Sequence, residues 1–289
     1  MAEITHKSGT WSFDGDGVRV VPGSDKAVHA LRQALGELTV PLAALAGVAF
    51  EPGRRTGRLR LRLREGSDPL LQATGGRLTD AADPYQLTVD ADRSGSAEYL
   101  VDEVRNALLL EQVPSGPAER YLLPGPAVPL TVGAGDGTVS FDGELVRLEW
   151  NWKTEEAKKS AGPRTLALAD LRAVEWLPSI GLENGYLRFV TAGATATAPP
   201  KYDPHAVELY GFRKDPLMAL VAAAVTARLP HPFTPPAQAA GPAAPGPADD
   251  ADGHDALLRR LRELGELHTA GVLTAEEFAA AKQAVLRRF

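Results

Sequence analysis

Two groups of residues combine types and spacing that could do chemistry. In Arg58-Leu59-Arg60-Leu61-Arg62-Leu63-Arg64 the arginines and leucines alternate, so an extended strand sets four guanidinium groups on one face and three leucines on the other. With Arg54 and Arg55 just before it, such a face is able to hold phosphates of lipid headgroups or nucleic acid through paired hydrogen bonds. The alternative is the solvated face of an edge strand whose charges block aggregation, and Glu51, Glu65 and Asp68 beside the run favour it. The second group is Trp150, Trp152 and Lys153, with Lys158 and Lys159 close behind. Leu148, Trp150 and Trp152 share one face of a predicted strand. Exposed, the tryptophans suit a membrane surface or stacked bases; turned inward, they continue an apolar stripe as core.

Neither group carries a reaction, and the rest of the chain adds none. Among His6, His29, His205, His231, His254 and His268 no two stand three or four residues apart. There is no cysteine, which removes disulfides, thiolate zinc sites and cysteine nucleophiles together. No glycine-rich phosphate loop follows a strand, and no GxSxG elbow occurs. Asp102-Glu103 and Glu155-Glu156 are adjacent on predicted helices and so point apart. The expectation is a protein without catalytic residues, metal or cofactor. A net charge of −6 with 44% hydrophobic and 24% charged residues suits an ordinary globular chain and argues against a nucleic-acid partner. Met1 to Lys7 lacks an apolar signal region, and the longest apolar run, Leu217 to Ala227, is too short to span a bilayer. A cytoplasmic location is therefore expected.

The elements that must position these residues come as a duplication. Gly9-Thr10-Trp11-Ser12-Phe13-Asp14-Gly15 returns as Gly137-Thr138-Val139-Ser140-Phe141-Asp142-Gly143, each an alternating run entering an Asp-Gly hairpin turn. Thr39 to Phe50 returns as Thr165 to Trp176, Gly57-Arg58-Leu59-Arg60-Leu61 as Gly185-Tyr186-Leu187-Arg188-Phe189, and Asp83-Pro84 as Asp203-Pro204. A period this long makes each copy a domain with its own core rather than a solenoid unit.

Helices are expected from Ser24 to Leu35, capped by Ser24 or Asp25, and after Ser96 and Asp215 as the closing element of each copy. Residues 66 to 82 read as a loop, and Thr154 to Lys159 as a short polar segment where the copies differ most. Two further segments, Ala198 to Pro204 and Tyr210 to Lys214, are aromatic and basic together and add a candidate contact surface.

The domain organisation that follows is a first repeat over 1–113, a stiff proline-rich connector over 114–130, a second repeat over 131–229, a disordered Pro/Ala/Gly tether over 230–253 and a helical hairpin over 254–289. In the hairpin Leu257, Leu258, Leu261, Leu264 and Leu267 line one helix, and Phe278, Val285, Leu286 and Phe289 the next. A hairpin below ~40 residues seldom folds alone, so these side chains are expected to meet a second copy or another protein.

The run from Ala256 to Phe278, with its Gly271-Val272-Leu273-Thr274-Ala275-Glu276-Glu277-Phe278 core, is similar to the SHOCT domain, a short C-terminal oligomerisation module of bacterial proteins. The duplication resembles the DUF4429 family of actinobacteria, whose name records that its function is not established. Several strands closed by one C-terminal helix are similar to the pleckstrin-homology-like superfold. The resemblances imply a mainly β (α+β) fold, with two tandem PH-like barrel or sandwich domains, each closed by a helix. They also imply a homo-oligomer or a protein partner through the hairpin, and they supply no catalytic residue. The expected function is a non-enzymatic adaptor, with peripheral binding to an anionic membrane surface through Arg54 to Arg64 as the rival and an uncharacterised enzyme as the third reading.

Overall fold

Gly9-Thr10-Trp11-Ser12-Phe13 alternates small or polar with large apolar residues, which suits a strand with one face on a core. In the computed structural model, which describes residues 2–193 and 198–233, it forms β2 (Gly9–Phe13) between β1 (Ala2–His6) and β3 (Gly17–Pro22). Trp11 and Phe13 are buried. The turn into β3 needs a residue without Cβ: Gly15 sits at φ +113°, and Asp14 Oδ1 accepts from the backbone N–H groups of Asp16 and Gly17, each at 3.0 Å. The hairpin recurs where β8 (Leu130–Ala134), β9 (Gly137–Phe141) and β10 (Leu145–Trp150) pair. Gly143 repeats the φ of +113°, and Asp142 Oδ1 takes the N–H groups of Glu144 and Leu145 at 3.0 and 2.7 Å.

The copies agree element by element except that the first adds a helix over Pro69–Thr74, for which the described residues of the second show no counterpart. The first continues with α1 (Ala30–Leu35), β4 (Leu38–Pro41), β5 (Leu45–Glu51), β6 (Thr56–Leu63), α2 (Pro69–Thr74), β7 (Gln86–Asp90) and α3 (Ser94–Leu110). The second continues with α4 (Glu156–Ala161), β11 (Arg164–Ala167), β12 (Leu171–Leu177), β13 (Gly185–Thr191), β14 (Ala206–Leu209) and α5 (Met218–Thr226). Each repeat has a four-stranded antiparallel sheet, ordered β1-β2-β3-β4 or β8-β9-β10-β11, and a three-stranded one, β5-β6-β7 or β12-β13-β14. Even the register shift recurs, between Leu45 and Gly47 in one and Leu171 and Ala173 in the other. The fold is mainly β, built from two repeated domains.

The closing helices differ. On α3 one stripe, Ala97, Leu100, Val101 and Val104, is buried on the first core with Trp11, Leu59 and Leu61. On α5 all nine residues are buried. A helix apolar all round needs cover on both sides. One side is its own sheet; the other is α2, whose Leu70 and Ala73 join the second core from the first repeat.

This α2 replaces part of the loop expected over 66–82. Asp68 caps it by accepting from Leu70 N and Leu71 N at 3.0 and 3.2 Å, Pro69 opens it, and Gly75 at φ +56° ends it. The helix expected from Ser24 starts only at Ala30. Asp25 Oδ1 is spent on the N–H of Ala27 at 2.7 Å, while His29 Nδ1 accepts from Leu31 N at 3.2 Å and does the capping. The first closing helix begins at Ser94, ahead of Ser96.

Residues 114–129 form neither helix nor strand; their first part lies against the first repeat, and Val128 packs on the second core. Ala118 N donates to Glu65 O at 2.8 Å, and Leu122 N and Leu123 N donate to Ser67 O at 2.8 and 3.1 Å. Among the described residues no helix is long and apolar enough to cross a membrane. The tether beyond Phe233 and the hairpin with Leu257, Leu258, Leu261, Leu264, Leu267, Phe278, Val285, Leu286 and Phe289 lie outside the described residues.

Candidate functional site

The arginine run is a strand as its alternation predicts, with Leu59, Leu61 and Leu63 buried. It is not an edge: β6 is paired on both sides, by β5 and β7. Its arginines also do separate jobs. Arg58 and Arg60 share Asp80, at 3.0 and 3.8 Å, and Arg60 adds a bond to Gln86 Oε1 at 3.2 Å. Arg64 donates to the carbonyls of Ala43, Gly116 and Pro117, at 2.8, 2.8 and 3.1 Å, and so clamps the connector. Arg54, Arg55 and Arg62 make no ion pair among the described residues. An anion approaching this face meets three free cations rather than six.

The tryptophan pair divides. β10 stops at Trp150, which is half-buried; its indole N–H donates to Gly162 O at 2.9 Å. Trp152 lies past the strand end and is 83% exposed. Lys153 binds it into a cluster, because its Nζ stands 4.4 Å from the ring centre of Phe212, 5.5 Å from Trp152 and 5.8 Å from Tyr210. Phe212 is 54% exposed. Arg213 and Lys214 continue the surface, which borders a groove of about 390 Å³ floored by Gly133 and Gly135.

Two carboxylates that sequence reasoning assigned otherwise, or passed over, hold this surface in place. Asp215, expected as a simple helix cap, gathers the loop: Oδ2 accepts from Tyr210, Gly211 and Phe212 N at 2.7, 2.8 and 3.0 Å, and Oδ1 from Gly135 N at 3.2 Å. The signal was there in the Tyr-Gly-Phe stretch three to five residues upstream, where a carboxylate is able to fold a loop back on itself.

Asp136 is the other. It is buried with Lys158, Nζ to Oδ2 at 2.7 Å, and burial pushes its carboxyl above the usual range against the pull of the ammonium. Lys158 also donates to Ala206 O at 2.9 Å and lies 5.1 Å from the Trp150 ring centre. Asp136 O accepts from Asn151 N at 3.1 Å and from the Thr154 hydroxyl, fixing the turn that carries Trp152 and Lys153. Lys158 is thus core, not surface, and it anchors α4, the helix on which Glu155-Glu156 were expected.

No group of histidines and carboxylates among the described residues is arranged to hold a metal ion. The site offers flat apolar rings and ammonium and guanidinium groups on a rigid rim, which suits binding.

The family model of the domain of unknown function DUF4429 matches residues 11–105 and again 139–226, together more than half of the chain. The chain belongs to the DUF4429 family. The two matched segments fall within the two seven-stranded repeats, from β2 into α3 and from β9 to the end of α5, so the duplication is a pair of DUF4429 domains. A short C-terminal domain, SHOCT, matches residues 259–286. No curated protein matches the chain. Nothing in either family match indicates an enzyme.

Proposed function

We propose that this DUF4429 protein is a non-enzymatic adaptor. Its C-terminal SHOCT segment joins copies of the chain, and the second DUF4429 repeat holds a protein partner through Trp152, Lys153 and Phe212. The observation that carries the reading is the exposure of Trp152 and Phe212 beside one ammonium, on a turn fixed by Asp136 and a loop fixed by Asp215. Large exposed aromatics beside cations are the usual anchors of protein contacts, and a held loop loses little entropy when it binds. Joining several such surfaces in one assembly turns weak contacts into firm attachment. The cations select a partner segment that is acidic and carries an apolar side chain for the rings.

The rival, an anionic membrane surface, loses support where Arg58, Arg60 and Arg64 are spent on Asp80 and on backbone carbonyls. The test compares the intact protein, Trp152→Ala/Phe212→Ala and a chain ending at 253 as baits in lysate of the source organism, and measures sedimentation of each with phosphatidylserine vesicles. A protein retained by the intact chain and lost with both variants supports the adaptor. Vesicle binding that disappears with Trp152→Ala/Phe212→Ala replaces it with the membrane reading.

A further inference from the structure

The two repeats place a buried cation at the same point, but only one repeat supplies its counter-ion. Counting back four residues from the glycine that ends each short helix, Gly36 and Gly162, gives Arg32 on α1 and Lys158 on α4. Both are buried. In the second repeat Lys158 meets Asp136, the residue just before β9. The matching residue before β2 is Ser8, and Arg32 Nη2 reaches only its carbonyl, at 3.2 Å. Among the described residues no carboxylate lies within ion-pair distance of Arg32; Asp83 acts on it only from farther off, against the larger effect of burial.

In place of the missing carboxylate the first repeat has space. A cavity of about 560 Å³ opens beside Arg32, walled by Ser8, His29, Arg58, Gln86 and Thr88. The edge strand shows the same substitution. In the second repeat Glu208 N donates to Asp136 Oδ1 at 2.8 Å, and Glu208 O accepts from Asp136 N at 3.1 Å. The counterpart of Glu208 on β7 is Thr88, which lines the cavity, while Ser8 N turns away to His6 Nδ1 at 3.1 Å.

We propose that this cavity of the first repeat binds a small molecule or peptide end through one carboxylate, which takes the place that Asp136 fills in the second repeat, between Arg32 and the backbone of Thr88. A guanidinium is suited to it, since its planar fork matches a carboxylate, and a buried cation without a counter-ion is costly to the fold until one arrives. The wall is otherwise close to charge balance. Asp80 is held by Arg58 at 3.0 Å, Asp25 accepts from Ala27 N, and Asp90 lies 3.9 Å from His6, with Lys7 at the rim. Attraction is therefore local to the Arg32 end. The site is separate from the Trp152 surface and does not depend on the adaptor reading.

The test titrates the intact protein with acetate, glutarate and inorganic phosphate, followed by NMR of the Arg32 Nε–H and the Thr88 amide. Saturable shifts of both signals with the carboxylates are expected. Ser8→Asp restores the internal counter-ion while keeping Arg32, and should weaken carboxylate binding at least tenfold and raise the melting temperature. Arg32→Gln should weaken it similarly. Equal responses of the wild type and Ser8→Asp to acetate would overturn the proposal, as would phosphate binding without carboxylate binding, or no saturable shift at all.

Discussion

Lys158 and Asp136 meet at 2.7 Å with no exposed surface to speak of, and they tie α4 to the β8–β9 turn. Breaking such a pair on one side strands the other charge, which costs about 3–5 kcal/mol. Lys158→Met alone should therefore lower the unfolding free energy by about that much in urea melts, whereas Lys158→Met with Asp136→Leu should recover most of it. Equal losses in the single and double variants would show that the charges do not depend on each other.

The second core is completed from the first repeat. Leu70 is 2% exposed and lies against α5. Leu70→Ala should cost about 2–5 kcal/mol, and the loss should appear in probes of the second repeat such as Trp176. A chain of residues 130–233 alone should expose α5 and bind a hydrophobic dye. A cooperative unfolding transition in that fragment would contradict this.

How far all this was legible in the sequence varies by element. Hairpins were, because the Asp-Gly pairs at 14–15 and 142–143 meet a local steric need that no distant contact alters. The inward faces of β2, β6 and β9 were too, since period two leaves no choice once a core lies on one side. α2 was hidden by its brevity among turn-forming residues, although Asp68-Pro69 and Gly75 mark both ends. Pairings across long separations were not legible. Lys158 looks like any surface lysine until the fold brings residue 136 to it, and Arg64 looks like its strand neighbours until the connector arrives. The exposure of Trp152 against the half-burial of Trp150 depends on where β10 stops, which Asn151 and Asp136 decide from outside the strand.

Asp142 accepts from two backbone N–H groups and from Arg147 Nη1 at 2.8 Å, which together lower its pKa to about 2. A folded pKa below the unfolded value gives stability that is complete above the ordinary carboxylate range, near 3.8, and is lost as pH falls toward 2. NMR titration of the Asp142 carboxyl should give a midpoint near 2. Asp142→Asn should flatten the dependence of stability on pH in that window. A midpoint at the ordinary value would mean that the turn does not hold the carboxylate in solution.

Trp152 and Phe212 are 83% and 54% exposed, so little buried packing is lost with them. Trp152→Ala/Phe212→Ala should change stability by less than about 0.5 kcal/mol while abolishing partner retention. A large stability loss would recast the rings as packing.

An adaptor of this design must assemble through its tail. Light scattering of the full chain against a chain ending at 253 measures this directly: a multiple of the 30.7 kDa chain mass is expected for the first and a monomer for the second. Monomer masses for both would contradict the account.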